Sequence, residues 1–294
     1  MGLSTSVENK NARRAKRMGV ILLILLTIAF IIYVIGGLDN QLETNYYSYQ
    51  TAKANENFRV VLLTDLHSSY YGEGQSELIQ AVENTNPDLL LWSGDIIDDE
   101  YSRLDPDNAY TALGELAKLY PSYYVSGNHE VWSRDLLNIK DEVEALGVIV
   151  LSGDILEIEV NNNKLVLLGL DDPDSTKFGY EAYEKQLADI ADFDQDKLSI
   201  LLAHRPDRIH EYTELGVDIV LSGHAHGGQW RIPGLELGIL APNQGLFPKY
   251  SNGFYEEDDT TLLVSRGLAR ESTRIPRLYN SPEVVVLDIL AASK

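Results

Sequence analysis

The 294-residue sequence predicts an α/β domain preceded by a single transmembrane helix. Three observations carry that reading: an uncharged apolar run near the amino terminus, an alternation of short β-rich runs with helical patterns from Phe58 onward, and a chemistry-bearing loop after each of five such runs. At 44% hydrophobic and 23% charged, the chain has enough apolar matter for a sizeable buried core.

The first element spans residues 18–38, which are 21 residues without a charge. As a helix rising about 1.5 Å per residue they reach roughly 31 Å, enough to cross a hydrocarbon core. Lys10, Arg13, Arg14, Lys16 and Arg17 precede the run. The positive-inside rule therefore makes 1–17 a basic cytoplasmic segment, 18–38 a single-pass anchor in the cell membrane, and everything beyond it extracytoplasmic. A cleaved signal peptide is the competing reading. Such signals carry an apolar stretch of about 7 to 15 residues and a small-x-small cleavage site, whereas residues 33–38 offer only Gly36 and Gly37. Twin-arginine export through Arg13 and Arg14 is a weak match, because Ala15, Lys16 and Arg17 follow where those signals turn apolar. Residues 39–57 read as a polar linker or edge strand. Tyr46, Tyr47 and Tyr49 suit an edge strand better than an interfacial tyrosine belt.

Charge and cysteine content narrow the chemistry. The chain has 24 Lys plus Arg against 45 Asp plus Glu, a net charge of −21; beyond Leu38 the balance is −25. No basic face is expected, and hence no nucleic-acid surface. With no cysteine, thiolate metal sites, cysteine nucleophiles and disulfides are excluded.

From residue 58 to 294 no linker or repeat divides the chain, which reads as one domain. Residues 59–63, 88–92, 122–125, 198–203 and 218–221 read as buried strands. Helical patterns lie at 75–83, 109–119, 135–146 and 180–190. Residues 155–160 and 164–168 flank Asn161, Asn162 and Asn163 as a hairpin. After Gly227 the sequence turns loop-rich, closing with strands at 261–265 and 284–289.

The chemistry follows the strands. After the first comes Asp65-Leu66-His67, after the second Gly94-Asp95, after the third Gly127-Asn128-His129-Glu130, then His204, then Gly223-His224-Ala225-His226. Open α/β sheets place ligands beyond the carboxyl ends of their strands, so the five loops should share one crevice holding five of the six histidines. Residues two apart at a strand end project the same way, which pairs Asp65 with His67 and His224 with His226. Asp95 could bridge two ions, and Asn128 offers a neutral oxygen. Nitrogen and oxygen ligands without thiolate suit Mn, Fe, Zn or Co, and two such cations about 3.5 to 4 Å apart would clamp a phosphoryl group. Gly94, Gly127 and Gly223 leave room for sharp turns and close approach. Singly, each signal is weak: Asp-x-His is common, Asn128 could cap a helix, and His204 could be an ordinary buried histidine. Together, five ordered elements each supply a ligand type that a dinuclear site needs. His210 stands apart as a surface or packing residue.

With these residues assembled, the sequence resembles the calcineurin-like metallophosphoesterase superfamily over roughly residues 58–290. It is similar in particular to the membrane-associated bacterial YkuE/YaeI-like branch, through residues 223–229 (GHAHGGQ), 265–268 (SRGL) and 280–283 (NSPE). The resemblance implies a four-layer α-β-β-α sandwich. It also implies one metal held by Asp65, His67, Asp95 and His226, and a second by Asp95, Asn128, His204 and His224, with Asp95 bridging. His129 matches the position that contacts phosphate and protonates the leaving oxygen, and Glu130 would orient a neighbour. Trp230-Arg231 and Ala269-Arg270-Glu271 depart from the pattern in loops expected to border the site. Arg205, Arg231, Arg266 and Arg270 are the basic residues nearest these motifs, with solvated surface positions as their default.

The expectation is a membrane-anchored, dinuclear metal-dependent hydrolase of phosphomonoesters or phosphodiesters. The anchor points to a cell-envelope substrate such as a phospholipid or nucleotide-sugar lipid. The alternatives are an envelope metal-binding protein with little turnover and a cytosolic nuclease, the latter opposed by the anchor and the charge. Oligomeric state has no signal in the sequence.

Overall fold

The structure, a computed structural model, describes residues 2–38, 40–100, 104–270 and 275–292; Glu271 and the side chain of Lys10 lie outside what is described. The chain divides into two compact units, Met1–Asp39 and Asn40–Lys294. The first is helix α1 (Gly2–Gly37), whose segment Arg13–Gly37 is long and apolar enough to cross a membrane.

The second unit is built on two six-stranded sheets. In the first, β1 (Glu43–Thr51) is an edge strand parallel to β16 (Glu283–Ala291), which runs antiparallel to β2 (Phe58–Leu63). Strands β3 (Leu89–Ser93), β4 (Ser122–Val125) and β5 (Ile149–Val150) continue it in parallel. In the second sheet, β6 (Asp154–Val160) pairs antiparallel with β7 (Asn163–Leu170), followed in parallel by β8 (Leu198–Ala203), β9 (Ile219–Ser222) and β15 (Thr260–Val264), with β14 (Gly253–Glu257) antiparallel at the edge.

Alternation along each strand sorts side chains into three apolar layers. Val60 and Leu62 of β2 meet Ile200 and Leu202 of β8 in a core between the sheets. Val61 and Leu63 face the other way, against α2 (Ser76–Glu83), α3 (Asp107–Ala117) and α5 (Leu136–Ala145) through Leu78, Leu113 and Ile139. Leu201 and Val220 pack on α6 (Tyr183–Asp189) and α7 (Ile209–Thr213) through Tyr183 and Tyr212. The result is a four-layer α-β-β-α sandwich. Because both faces of each sheet are covered, the central strands are continuous apolar runs rather than alternating ones.

Two expectations are refined. The hairpin turn is only Asn161-Asn162, because Asn163 already pairs with Val160; its buried Oδ1 accepts the amides of Asn55 at 2.7 Å and Glu56 at 3.1 Å. The stretch after Gly227 is also more ordered than a loop. It holds hairpins β10/β11 (Arg231–Ile232, Leu235–Gly238) and β12/β13 (Leu240–Ala241, Gly245–Leu246) before β14. Short strands interrupted by Gly and Pro carry too little alternation to be read.

Candidate metal centre

The five chemistry-bearing loops meet, but from two sheets rather than one. Asp65, Asp95 and Asn128 follow β2, β3 and β4 of the first sheet, while His204 and His224 follow β8 and β9 of the second. The seam is closed by hydrogen bonds. His204 Nδ1 lies 2.6 Å from the Ser93 carbonyl, and the His224 amide donates to Asp65 Oδ2 at 3.0 Å. Within the first sheet the Asp65 amide donates to Gly94 O at 3.0 Å and the His67 amide to Asp95 O at 3.0 Å.

Local backbone explains how neighbouring residues aim at one point. Asp65, His67, Asp95, His224 and His226 all have positive φ, between 46° and 64°. Strand alternation has ended at these positions, so left-handed backbone, not strand geometry, turns Asp65 with His67 and His224 with His226 inward. Each such residue costs of order 1–3 kcal/mol, and such strain concentrates at functional sites. The glycines are required by crowding against protein. A Cβ on Gly94, whose φ is +79°, would lie 2.5 Å from Gly127 N, and one on Gly223 would overlap Thr64 Oγ1 and Asp65 Oδ2.

Two buried groups place one candidate ligand atom per residue within 4.8 Å of one another: Asp65, His67 and His226, and Asp95, His204 and His224. Asp95 Oδ2 lies 3.0 Å from His204 Nε2 and 3.8 Å from His67 Nε2, so this member of the second group also approaches the first. Asn128 begins α4 (Asn128–Trp132), and its Oδ1 makes no hydrogen bond, so it does not cap the helix. Both ring nitrogens of His67 are likewise buried without a hydrogen-bond partner. Unpartnered buried polar atoms are costly and are what a cation would satisfy, so the residues present fit two divalent ions.

The electrostatics divide the histidines. Burial, then His129, holds His67 well below its ordinary value; burial, then His204, does so for His224, and burial with Arg277 brings His226 to about 3. Neutral imidazole is the ligating form. Burial raises Asp65 to about 6. For Asp95 burial works the same way, but His204 and His129 outweigh it and keep the carboxylate well below the usual range. Burial likewise disfavours a charged His204, yet Asp95 prevails and raises it to about 10.

His129 lines a cavity of about 450 Å³ with Asp95, Asn128, His224 and His226. Its backbone amide donates to Asp95 Oδ1 at 2.8 Å, and its Nδ1 lies 2.6 Å from Asp99 Oδ1. Burial opposes the imidazolium, but Asp95 and Asp99 overcome it and raise His129 to about 9. Glu130 accepts four backbone amides: Asp95 at 2.9 Å, Ile96 at 2.7 Å, Ile97 at 3.0 Å and Gly127 at 2.8 Å. It therefore ties the Asp95 loop to the Asn128 turn.

Several participants carried no sequence signal. Asp99 is one; it sits four residues beyond Asp95 in the acidic run Asp98-Asp99-Glu100, which no motif marks. Asn243 Oδ1 sits 3.0 Å from His224 Nε2, and the wholly buried Arg277 places Nη2 3.5 Å from His226 Nδ1. Of the four arginines, none lines the cavity. Arg205 and Arg231 are buried rather than solvated, with Arg205 gripping Asp172 at 2.6 and 2.9 Å. Arg266 pairs with Glu283 and Arg270 with Glu77. Trp230 donates to Pro276 O at 2.9 Å, and His210 is exposed.

A two-sheet sandwich with this cluster at the carboxyl ends of its strands defines a metallophosphoesterase architecture. Residues 58–228 match the calcineurin-like phosphoesterase family, and the chain belongs to that family. It is similar to an uncharacterized metallophosphoesterase of Aquifex aeolicus, 32% identical with 88% of this chain and 97% of that protein covered. It also resembles the uncharacterized metallophosphoesterase YkuE of Bacillus subtilis, 29% identical over 80% of this chain and 79% of that one. A Bos taurus transmembrane protein with metallophosphoesterase domain is 28% identical over 80% of this chain, which spans 53% of that protein.

Proposed function

We propose that the chain hydrolyses phosphomonoesters or phosphodiesters with two divalent cations, one held by Asp65, His67, Asp95 and His226 and the other by Asp95, Asn128, His204 and His224. The observation that carries this is the pair of buried ligand groups, with Asp95 Oδ2 of one 3.8 Å from His67 Nε2 of the other, beside the unpartnered Asn128 Oδ1. Two cations there supply positive charge to the phosphoryl oxygens and acidify water. The chain's own residues do the rest. Asp95 faces both ligand groups and, through its Oδ1, holds the backbone of His129 in place. Asp99 orients the His129 ring and keeps it protonated. As water oxygen bonds to phosphorus, giving up a proton to solvent, and the ester P–O bond breaks, His129 delivers its proton to the departing oxygen, releasing an alcohol with phosphate from a monoester or with a phosphomonoester from a diester. The acidic domain would repel an anionic substrate, so productive binding requires the cations.

The α1 helix, with basic residues before its apolar run, supports a single-pass anchor with the catalytic domain outside the cytoplasm. A reporter fused after Lys294 is expected to be active outside the cytoplasm; activity confined to the cytoplasm contradicts the topology. For the chemistry, the full chain is assayed with Mn on aryl phosphomonoesters and phosphodiesters. Metal-dependent turnover that disappears in Asp95→Ala is expected, and no turnover above that variant leaves a metal-binding protein without hydrolase activity.

A further inference from the structure

The cavity beside the ligand groups has two kinds of lining. Asp95, Asn128, His129, His224, His226 and Gln229 are polar; Leu240, Ala241, Pro242 and Ile275 form an apolar wall, with Trp132 beside His129. That wall does not end at the cavity. Leu240 pairs directly with Leu246 across the β12/β13 hairpin, so their side chains share one face, and Leu246 is 68% exposed. Leu240, Ile275, Trp132 and Phe247 are exposed as well, and Phe247 follows Leu246 with φ +56°, a conformation a bulky residue rarely adopts. A contiguous apolar surface rimming a pocket marks a ligand or membrane contact.

Charge says what kind. Among the described residues no Lys or Arg lines the cavity, and Arg205, Arg266 and Arg270 nearby are occupied by Asp172, Glu283 and Glu77. Among the described residues, no Lys or Arg in the cavity lining offers a substrate with several phosphates a further counter-charge. A substrate with one phosphoryl group and a hydrocarbon remainder matches both kinds of lining.

We infer that the site takes single-phosphoryl amphiphiles, with the phosphoryl group at the ligand cluster and the alkyl chain along Leu240, Leu246, Phe247 and Ile275. This rests on the phosphoesterase reading and names its substrate class. The collar, not the ligand cluster, then sets specificity, since each buried CH₂ contributes about 0.8 kcal/mol, roughly a fourfold change in affinity.

The test uses the full chain in phosphatidylcholine nanodiscs with Mn. Hydrolysis of decyl phosphate and butyl phosphate is compared in the native chain and in Leu246→Asp and Phe247→Asp. In parallel, a decylphosphonate carrying a terminal diazirine is photolysed and the labelled residues are mapped by mass spectrometry. The decyl-to-butyl ratio of kcat/KM is expected to fall at least tenfold in each variant, with label on the β12/β13 hairpin and Ile275. If butyl phosphate is hydrolysed but the ratio is unchanged in the variants, the collar is refuted while the hydrolase reading stands. If neither ester is cleaved, the hydrolase reading fails. The label map then decides the collar alone: label on the hairpin sustains it, and label elsewhere overturns it.

Discussion

Glu130→Gln isolates the scaffold from the chemistry, because Glu130 faces four backbone amides and none of the candidate ligand atoms. Its Oε1 accepts Ile96 and Ile97, and its Oε2 accepts Asp95 and Gly127. Glutamine keeps one oxygen and turns an NH₂ toward the other two donors. Two buried amides then lose their acceptor at about 1–3 kcal/mol each, so the expected loss is roughly 2–6 kcal/mol. At about 2 °C per kcal/mol for a domain of this size, the midpoint should drop by roughly 4–12 °C. The same change loosens the loops carrying Asp95 and Asn128, and loss of such support typically weakens metal binding about 10- to 100-fold. Burial and Asp95 push Glu130 up to about 7, so the comparison is made at pH 8, where the native carboxylate is charged. Thermal unfolding of the metal-free full chain in detergent and a Mn titration are the assays. A variant that melts within 1 °C of the native chain and binds Mn equally well would falsify the view that this carboxylate joins the two loops.

Three further outcomes follow from the same geometry. His129→Ala should lower kcat by about 10²–10⁴ while metal content is retained, and Asp99→Asn, by removing a charge that raises His129, should move the alkaline limb of the pH–rate profile to lower pH; loss of bound metal in either variant would instead make these residues ligands. Metal affinity should rise with pH, because Asp95 raises His204 to about 10 and the proton on His204 must leave before its Nε2 can ligate; calorimetry showing affinity flat between pH 6 and 8 contradicts this. Gly94→Ala, at φ +79° and 2.5 Å from Gly127 N, should destabilise by roughly 2–5 kcal/mol through left-handed strain and backbone overlap, and a denaturation midpoint matching the native chain would show that the turn can relax.

The sequence shows the ligands more clearly than the frame around them. Asp65, Asp95, Asn128, His204 and His224 each follow a continuous apolar run, and that pattern survives because every such strand is covered on both faces. Which run lies beside which is a property of long-range pairing. Nothing local says that β16 enters between β1 and β2, or that the His204 and His224 strands form a second sheet. The left-handed backbone at His67 and His226 is equally silent, since only a few per cent of non-glycine residues adopt it and nothing in the neighbouring sequence marks these two. Asp99, Asn243 and Arg277 act by proximity created in three dimensions, from loops with no periodicity to mark them.

The central claim is that the two buried ligand groups each hold an ion and share Asp95. Equilibrium dialysis of the full chain against Mn, followed by elemental analysis of the protein, measures this directly. Two ions per chain in the native protein, falling to one or none in Asp95→Ala, is the predicted result; one or none in the native protein contradicts it.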